Sequence, residues 1–171
     1  MNRAIPPKWD SPSLVSQTFV ISQRITGFMP PPRILIAEDH RLIAELYTHL
    51  LRPQFLVVGI VSDGQSLLRK AHELRPDLVI ADISLPLLSG LKALTELRQR
   101  QPKLKIVVAT MNDDSEIATE AFRRGANGYF LKTETARSLL KAIQEVLNGG
   151  AYASSPLSIV RPSAFEASPG A

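Results

Sequence analysis

The chain has 171 residues, 44% of them hydrophobic, enough for one domain with a buried core plus tails. It contains no cysteine, which excludes disulfides, thiolate metal sites and thiol nucleophiles. The net charge of +4 is diffuse, because residues 33–149 carry 16 Lys and Arg against 14 Asp and Glu while the tails carry 4 against 2, so it argues against a concentrated nucleic-acid surface.

Residues 1–32 hold six of the 13 prolines among Ser, Gln and Thr, with no sustained period of two or 3.6, and are predicted to be a flexible extension. Met29, just before RILIAEDH, is a candidate translation start that the intact mass of the natively expressed protein would test. RILIA (33–37) then reads as a strand, followed by a helix whose apolar face is Leu42, Ile43, Leu46 and Leu50. FLVVGIVS (55–62) is the second strand. Asp63 caps the next helix, which is faced by Leu67, Leu68, Ala71 and Leu74.

LVIAD (78–82) is the third strand. The loop after it is shaped by Pro86, which fixes φ, and by Gly90, which permits positive φ. Leu91, Leu94 and Leu97 line the third helix, and the basic run at its end, Arg98, Arg100, Lys103 and Lys105, reads as a solvated surface. KIVVAT (105–110) precedes a helix opened by Asp113 with Glu116, lined by Ile117, Ala118, Ala121 and Phe122, and closed by Gly125. GYFLK (128–132) precedes a last helix, from Thr133 to Gly149-Gly150, lined by Leu139, Leu140, Ile143, Val146 and Leu147. Residues 151–171 are predicted to be a flexible tail.

Unbroken apolar strands alternating with amphipathic helices imply an α/β domain over 33–150: a five-stranded parallel sheet with helices on both faces, doubly wound and flavodoxin-like. No apolar stretch approaches the roughly 20 residues that span a bilayer, so a soluble, cytoplasmic location without membrane contact is expected. His40, His49 and His72 share no metal-ligand spacing and are expected to face solvent or sit at helix ends.

In such a sheet ligands bind beyond the carboxyl ends of the strands. The first strand ends in Glu38-Asp39, the third in Asp82, the fourth in Thr110 and the fifth in Lys132. Three carboxylates at one edge repel one another and imply a cation among them; oxygen ligands without thiols favour a hard ion such as Mg²⁺. A lysine amine and a threonine hydroxyl opposite the acids suit an added phosphoryl group.

ILIAEDH, LVIADISLPLLSG, VVATMNDD and ANGYFLK, in this order over about residues 33–150, resemble the receiver domain of two-component response regulators, in particular the branch that precedes LuxR/NarL/FixJ-type DNA-binding domains. The resemblance implies that Asp82 accepts a phosphoryl group from a histidine kinase or histidine phosphotransfer protein. It implies a Mg²⁺ site of Glu38, Asp39, Asp82 and the backbone carbonyl of Ser84. Thr110 would hydrogen-bond the phosphoryl group, Lys132 would pair with it, and Tyr129 would be the aromatic whose rotation accompanies activation. It further implies a changed protein-interaction surface, with homodimerisation through the fourth and fifth helices, and no catalytic activity beyond self-phosphorylation and autodephosphorylation.

Competing readings are a Mg²⁺-dependent phosphatase of the haloacid dehalogenase type, a DNA-binding regulator and a degenerate receiver. The first places a second Asp two residues after the nucleophile, where this chain has Ser84. A GxxxxGKS/T phosphate loop is absent, against a nucleotide hydrolase. The 21 residues after Gly150 are too few for a helix-turn-helix domain, so direct DNA binding is not expected and the chain reads as a stand-alone receiver or a truncated regulator. The presence of the whole acceptor set counts against degeneracy.

Overall fold

The computed structural model describes residues 29–154 and Leu157. The remainder of the two expected flexible segments lies outside the described residues. The α/β unit runs β1 (Arg33–Ala37), α1 (Arg41–Leu51), β2 (Leu56–Val61), α2 (Gly64–Leu74), β3 (Leu78–Ala81) and α3 (Gly90–Arg100). It continues through β4 (Lys105–Thr110), α4 (Ser115–Arg123), β5 (Gly128–Leu131), α5 (Ala136–Leu147) and β6 (Tyr152–Ala153). The strands form one parallel sheet in the order β2-β1-β3-β4-β5-β6.

Burial on both faces explains the unbroken apolar runs, because alternate residues of one strand serve two different cores. Leu35, Val79, Ile106, Val108 and Tyr129 pack with Leu67 and Ala71 of α2, Leu94 and Leu97 of α3, and Ala121 and Phe122 of α4. Their neighbours Ile34, Ile36, Ile80, Val107 and Phe130 point the other way, to Tyr47 and Leu51 of α1 and to Leu139, Ile143 and Val146 of α5. Each fully buried Leu, Ile or Val contributes about 1.5–3 kcal/mol, so the two cores pin the sheet and therefore its carboxyl edge.

Several local expectations change. The face of α1 is Ala44, Tyr47 and Leu51, with Ile43 packed beside it, while Leu42 and Leu46 are 80% and 54% exposed. Tyrosine and alanine supply that stripe at i, i+3 and i+7, and neither stands out in a search for aliphatic residues. Asp63 caps α2 as expected, accepting from Ser66 N, but Asp114 rather than Asp113 caps α4, and Thr135 rather than Thr133 caps α5. Gly90 opens α3, and its need is steric: a Cβ there would lie 2.5 Å from the Asp82 carbonyl oxygen and 2.5 Å from Ile83 Cα. The positive φ of that loop belongs to Leu87, at 66°.

The sheet has six strands rather than five. Tyr152 and Ala153, expected in the tail, pair in parallel with Gly128 and Tyr129 of β5, and Leu157 is also buried. Ser154 makes this short pairing viable, because its hydroxyl accepts from Leu131 N at 2.8 Å where a longer strand would supply a carbonyl. Among the described residues, no helix is long and apolar enough to cross a membrane.

Candidate functional site

Register brings the strand ends together. Glu38 N donates to Val61 O, Asp82 N to Ala37 O and Lys132 N to Thr110 O, so the residue that follows each strand remains tied to the strand beside it. Lys132 Nζ then donates to Glu38 Oε2 at 2.5 Å and to Asp82 Oδ2 at 2.6 Å, with all three side chains almost fully enclosed. The other oxygen of each acid faces backbone: Glu38 Oε1 accepts from His40 N and Asp82 Oδ1 accepts from Ser84 N, at 3.1 and 2.9 Å. Both carboxylates are thereby fixed in orientation as well as position.

Asp39 stands outside this triad, its side chain 33% exposed and its Oδ1 3.0 Å from His40 Nδ1. Ligand atoms of Glu38, Asp39 and His40 lie within 4.8 Å of one another, close enough to share a cation. Charge supports the same reading, since Glu38 and Asp82 share one ammonium group and Asp39 adds a third carboxylate beside Glu38, an excess of acid at the edge of the sheet. A divalent ion with oxygen ligands fits that excess and that donor chemistry. A cleft of about 560 Å³ reaches Glu38 and Asp39 from outside, between Arg41 and Glu45 of α1 and Ser66 and Arg69 of α2.

Thr110 and Tyr129 meet on a residue that the sequence did not single out. Thr110 Oγ1 accepts from Asn112 N at 3.1 Å, and Tyr129 Oη donates to Asn112 O at 2.9 Å, so the two side chains grip opposite ends of one residue in the β4–α4 loop. Accepting that bond leaves the Thr110 hydroxyl its own proton to donate. Tyr129 is fully buried, and burial, reinforced by the negative charges of Asp114, Asp113 and Asp82, pushes its phenol up to about 12. Tyr47, on α1, is shifted upward mainly by burial, with Glu38 and Asp82 adding to the effect.

The structure thus joins Glu38, Asp82 and Lys132 directly, places Asp39 beside Glu38, ties the Ser84 amide to Asp82, and links Thr110 to Tyr129 through Asn112. His40 is exposed and sits at the start of α1, as expected, and it also touches both acids of the Glu38-Asp39 pair, to which it is adjacent in EDH. His49 and His72 are exposed, as expected. Among the described residues no buried side-chain nitrogen or oxygen lacks a partner.

Residues 34–144 match the family model described as the response regulator receiver domain. The transcriptional regulatory protein DegU of Brevibacillus brevis is 35% identical over 122 residues, which are 70% of this chain and 52% of that protein. The nitrate/nitrite response regulator protein NarL of Escherichia coli (strain K12) is 32% identical over 139 residues, 80% of this chain and 64% of that one. This chain therefore spans between about half and two thirds of the curated relatives it matches. Among solved structures, a two-component response regulator of the LuxR family from Aurantimonas sp. SI85-9A1 superposes with a TM-score of 0.73 at 32% identity, covering 76% of this chain and 94% of that chain. The isolated REC domain of RcsB from Salmonella enterica serovar Typhimurium gives a TM-score of 0.71 at 23% identity, a likeness of fold, and covers 77% of this chain and 99% of that chain.

Proposed function

The chain belongs to the response regulator receiver domain family, and from that premise we propose that it is a phosphorylation switch in which the Asp82 carboxylate accepts a phosphoryl group from a phosphohistidine. The observation that carries the proposal is the enclosed contact of Lys132 with both Glu38 and Asp82 at the carboxyl edge of the sheet. The bond from the donor's imidazole nitrogen to phosphorus breaks as one from an Asp82 carboxylate oxygen to phosphorus forms. The donor leaves as histidine and Asp82 becomes an acyl phosphate.

Little covalent work falls to the protein, so its contribution is positioning and charge neutralisation. The Ser84 amide and Lys132 hold the two oxygens of Asp82. Glu38, Asp39, Asp82 and the Ser84 carbonyl would hold a Mg²⁺, which would supply positive charge against the negative charge of the transferring group. Lys132 pairs with the new phosphoryl oxygens and Thr110 donates its hydroxyl to one of them. That donation draws on the side chain that now holds Asn112, and through Asn112 it reaches Tyr129. The switch therefore biases two arrangements of the β4–α4 loop and of β5, and its output is a changed binding face.

The donor is a histidine kinase or a histidine phosphotransfer protein, and a second copy of the chain is a candidate partner through α4 and α5. Direct DNA binding is assigned to none of the described residues. Incubation with Mg²⁺ and acetyl phosphate, followed by intact mass, tests the proposal. One added phosphoryl group that requires Mg²⁺ and is absent from Asp82→Asn is expected; no addition, or addition unaffected by that substitution, overturns it.

A further inference from the structure

The chain does not leave the domain at the end of α5. It turns at Gly149, with φ at 90°, and lays Tyr152 and Ala153 along the outer edge of β5. Tyr152 N donates to Asn127 O, Ser154 N to Tyr129 O, and Leu131 N to Ser154 Oγ, at 3.2, 3.0 and 2.8 Å. The Tyr152 hydroxyl donates to Glu134 Oε2 at 2.9 Å. Ser154 is fully buried, and Leu157 belongs to the apolar cluster that encloses Tyr129.

These attachments concentrate on the β5 residues that the switch would disturb. Ala153 lies in register with Tyr129, so its methyl and the phenol ring share one face of the sheet. The carbonyl of Tyr129 and the amide of Leu131, on either side of Phe130, hold the strap one residue before Lys132. A strap held on one edge only, by two paired residues, the Ser154 and Tyr152 hydroxyls and the buried Leu157, opens more readily than the central strands, which are bonded on both edges.

We infer that the segment carrying Tyr152, Ala153, Ser154 and Leu157 is an intramolecular strap, seated on β5 by the placement of Tyr129, which phosphorylation of Asp82 loosens. The inference rests on the proposed phosphorylation. When Thr110 is drawn toward the phosphoryl group to donate its hydroxyl, its contact with Asn112 N–H shifts with it, and so does the loop that anchors the Tyr129 hydroxyl. At the same time Lys132 is drawn toward new negative charge, pulling on the backbone that holds Ser154. Both movements act on the strap's seat, and release uncovers the β5 edge.

Hydrogen exchange of individual amides in the full chain, with Mg²⁺ and with or without beryllofluoride as a stable phosphoryl mimic, is the test. The Leu131 and Ser154 amides are expected to exchange at least about tenfold faster with beryllofluoride, while Leu35 and Val79 in the central strands stay protected. Because coupling is reciprocal, Leu157→Ser and the milder Ser154→Ala are expected to raise beryllofluoride affinity by about fivefold or more. Equal or slower exchange of the strap, or unchanged affinity in both variants, overturns the inference while leaving Asp82 as acceptor. If beryllofluoride binds the chain and Asp82→Asn alike, or neither, the acceptor assignment falls and the strap with it.

Discussion

Replacing Lys132 by Met removes the ammonium group and keeps most of the apolar stem. In the structure Nζ sits 2.5 Å from Glu38 Oε2 and 2.6 Å from Asp82 Oδ2, where the three side chains are 5%, 1% and 6% exposed, so water screens the contacts poorly. Removing one partner of such a buried pair costs about 3–5 kcal/mol. Each carboxylate keeps a backbone N–H on its other oxygen, from His40 and Ser84, which places the expected loss at the low end, about 3 kcal/mol. Urea denaturation at neutral pH should show this as a lower midpoint with unchanged slope. Mg²⁺ should recover more stability in the variant than in the native chain, because the dication then supplies counter-charge that Lys132 no longer gives to Glu38 and Asp82. A variant within about 0.5 kcal/mol of the native chain, with the same response to Mg²⁺, would refute the role of Lys132 as the neutralising group.

Gly90→Ala should destabilise by about 1–3 kcal/mol and slow phosphorylation by acetyl phosphate, since its Cβ would press on the Asp82 carbonyl at 2.5 Å; native rates would contradict the steric reading. The repositioned face of α1 predicts that Leu46→Gln changes stability by less than about 0.5 kcal/mol, whereas Leu51→Ala costs about 2–5 kcal/mol, a contrast that thermal denaturation resolves. Burial holds the Tyr129 and Tyr152 phenols up at about 12, above the value near 10 of an unfolded chain. Their neutral forms therefore stabilise the fold fully below about pH 10, and that contribution is lost as pH rises toward 12. Tyrosinate absorbance from these two residues should appear together with loss of helical circular dichroism; ionisation in a chain that is still folded would count against their burial.

Strand ends were legible because apolar runs stop abruptly at Glu38, Asp82, Thr110 and Lys132, and a parallel sheet sends all those ends to one edge. Helix faces were less legible where the buried side chain is amphipathic. Tyr47 carries the stripe of α1, while Leu42 and Leu46, the obvious aliphatics, face outward. Cap positions slipped by one or two residues because DD and TET each offer more than one oxygen, and local sequence does not choose between Asp113 and Asp114 or between Thr133 and Thr135. β6 left almost no trace, since two residues carry no periodicity and Ser154 completes the pairing with its side chain. The grip of Thr110 and Tyr129 on Asn112 is a tertiary event, made by a backbone N–H and a carbonyl that any residue would possess.

The central claim is that one carboxylate, Asp82, carries the phosphoryl group. Treating the acetyl phosphate-modified chain with borohydride converts an acyl phosphate of aspartate to homoserine, and peptide mass mapping then reports its position. The account predicts homoserine at position 82 alone, and only when Mg²⁺ was present. A modified residue elsewhere, or none after confirmed phosphorylation, would contradict it.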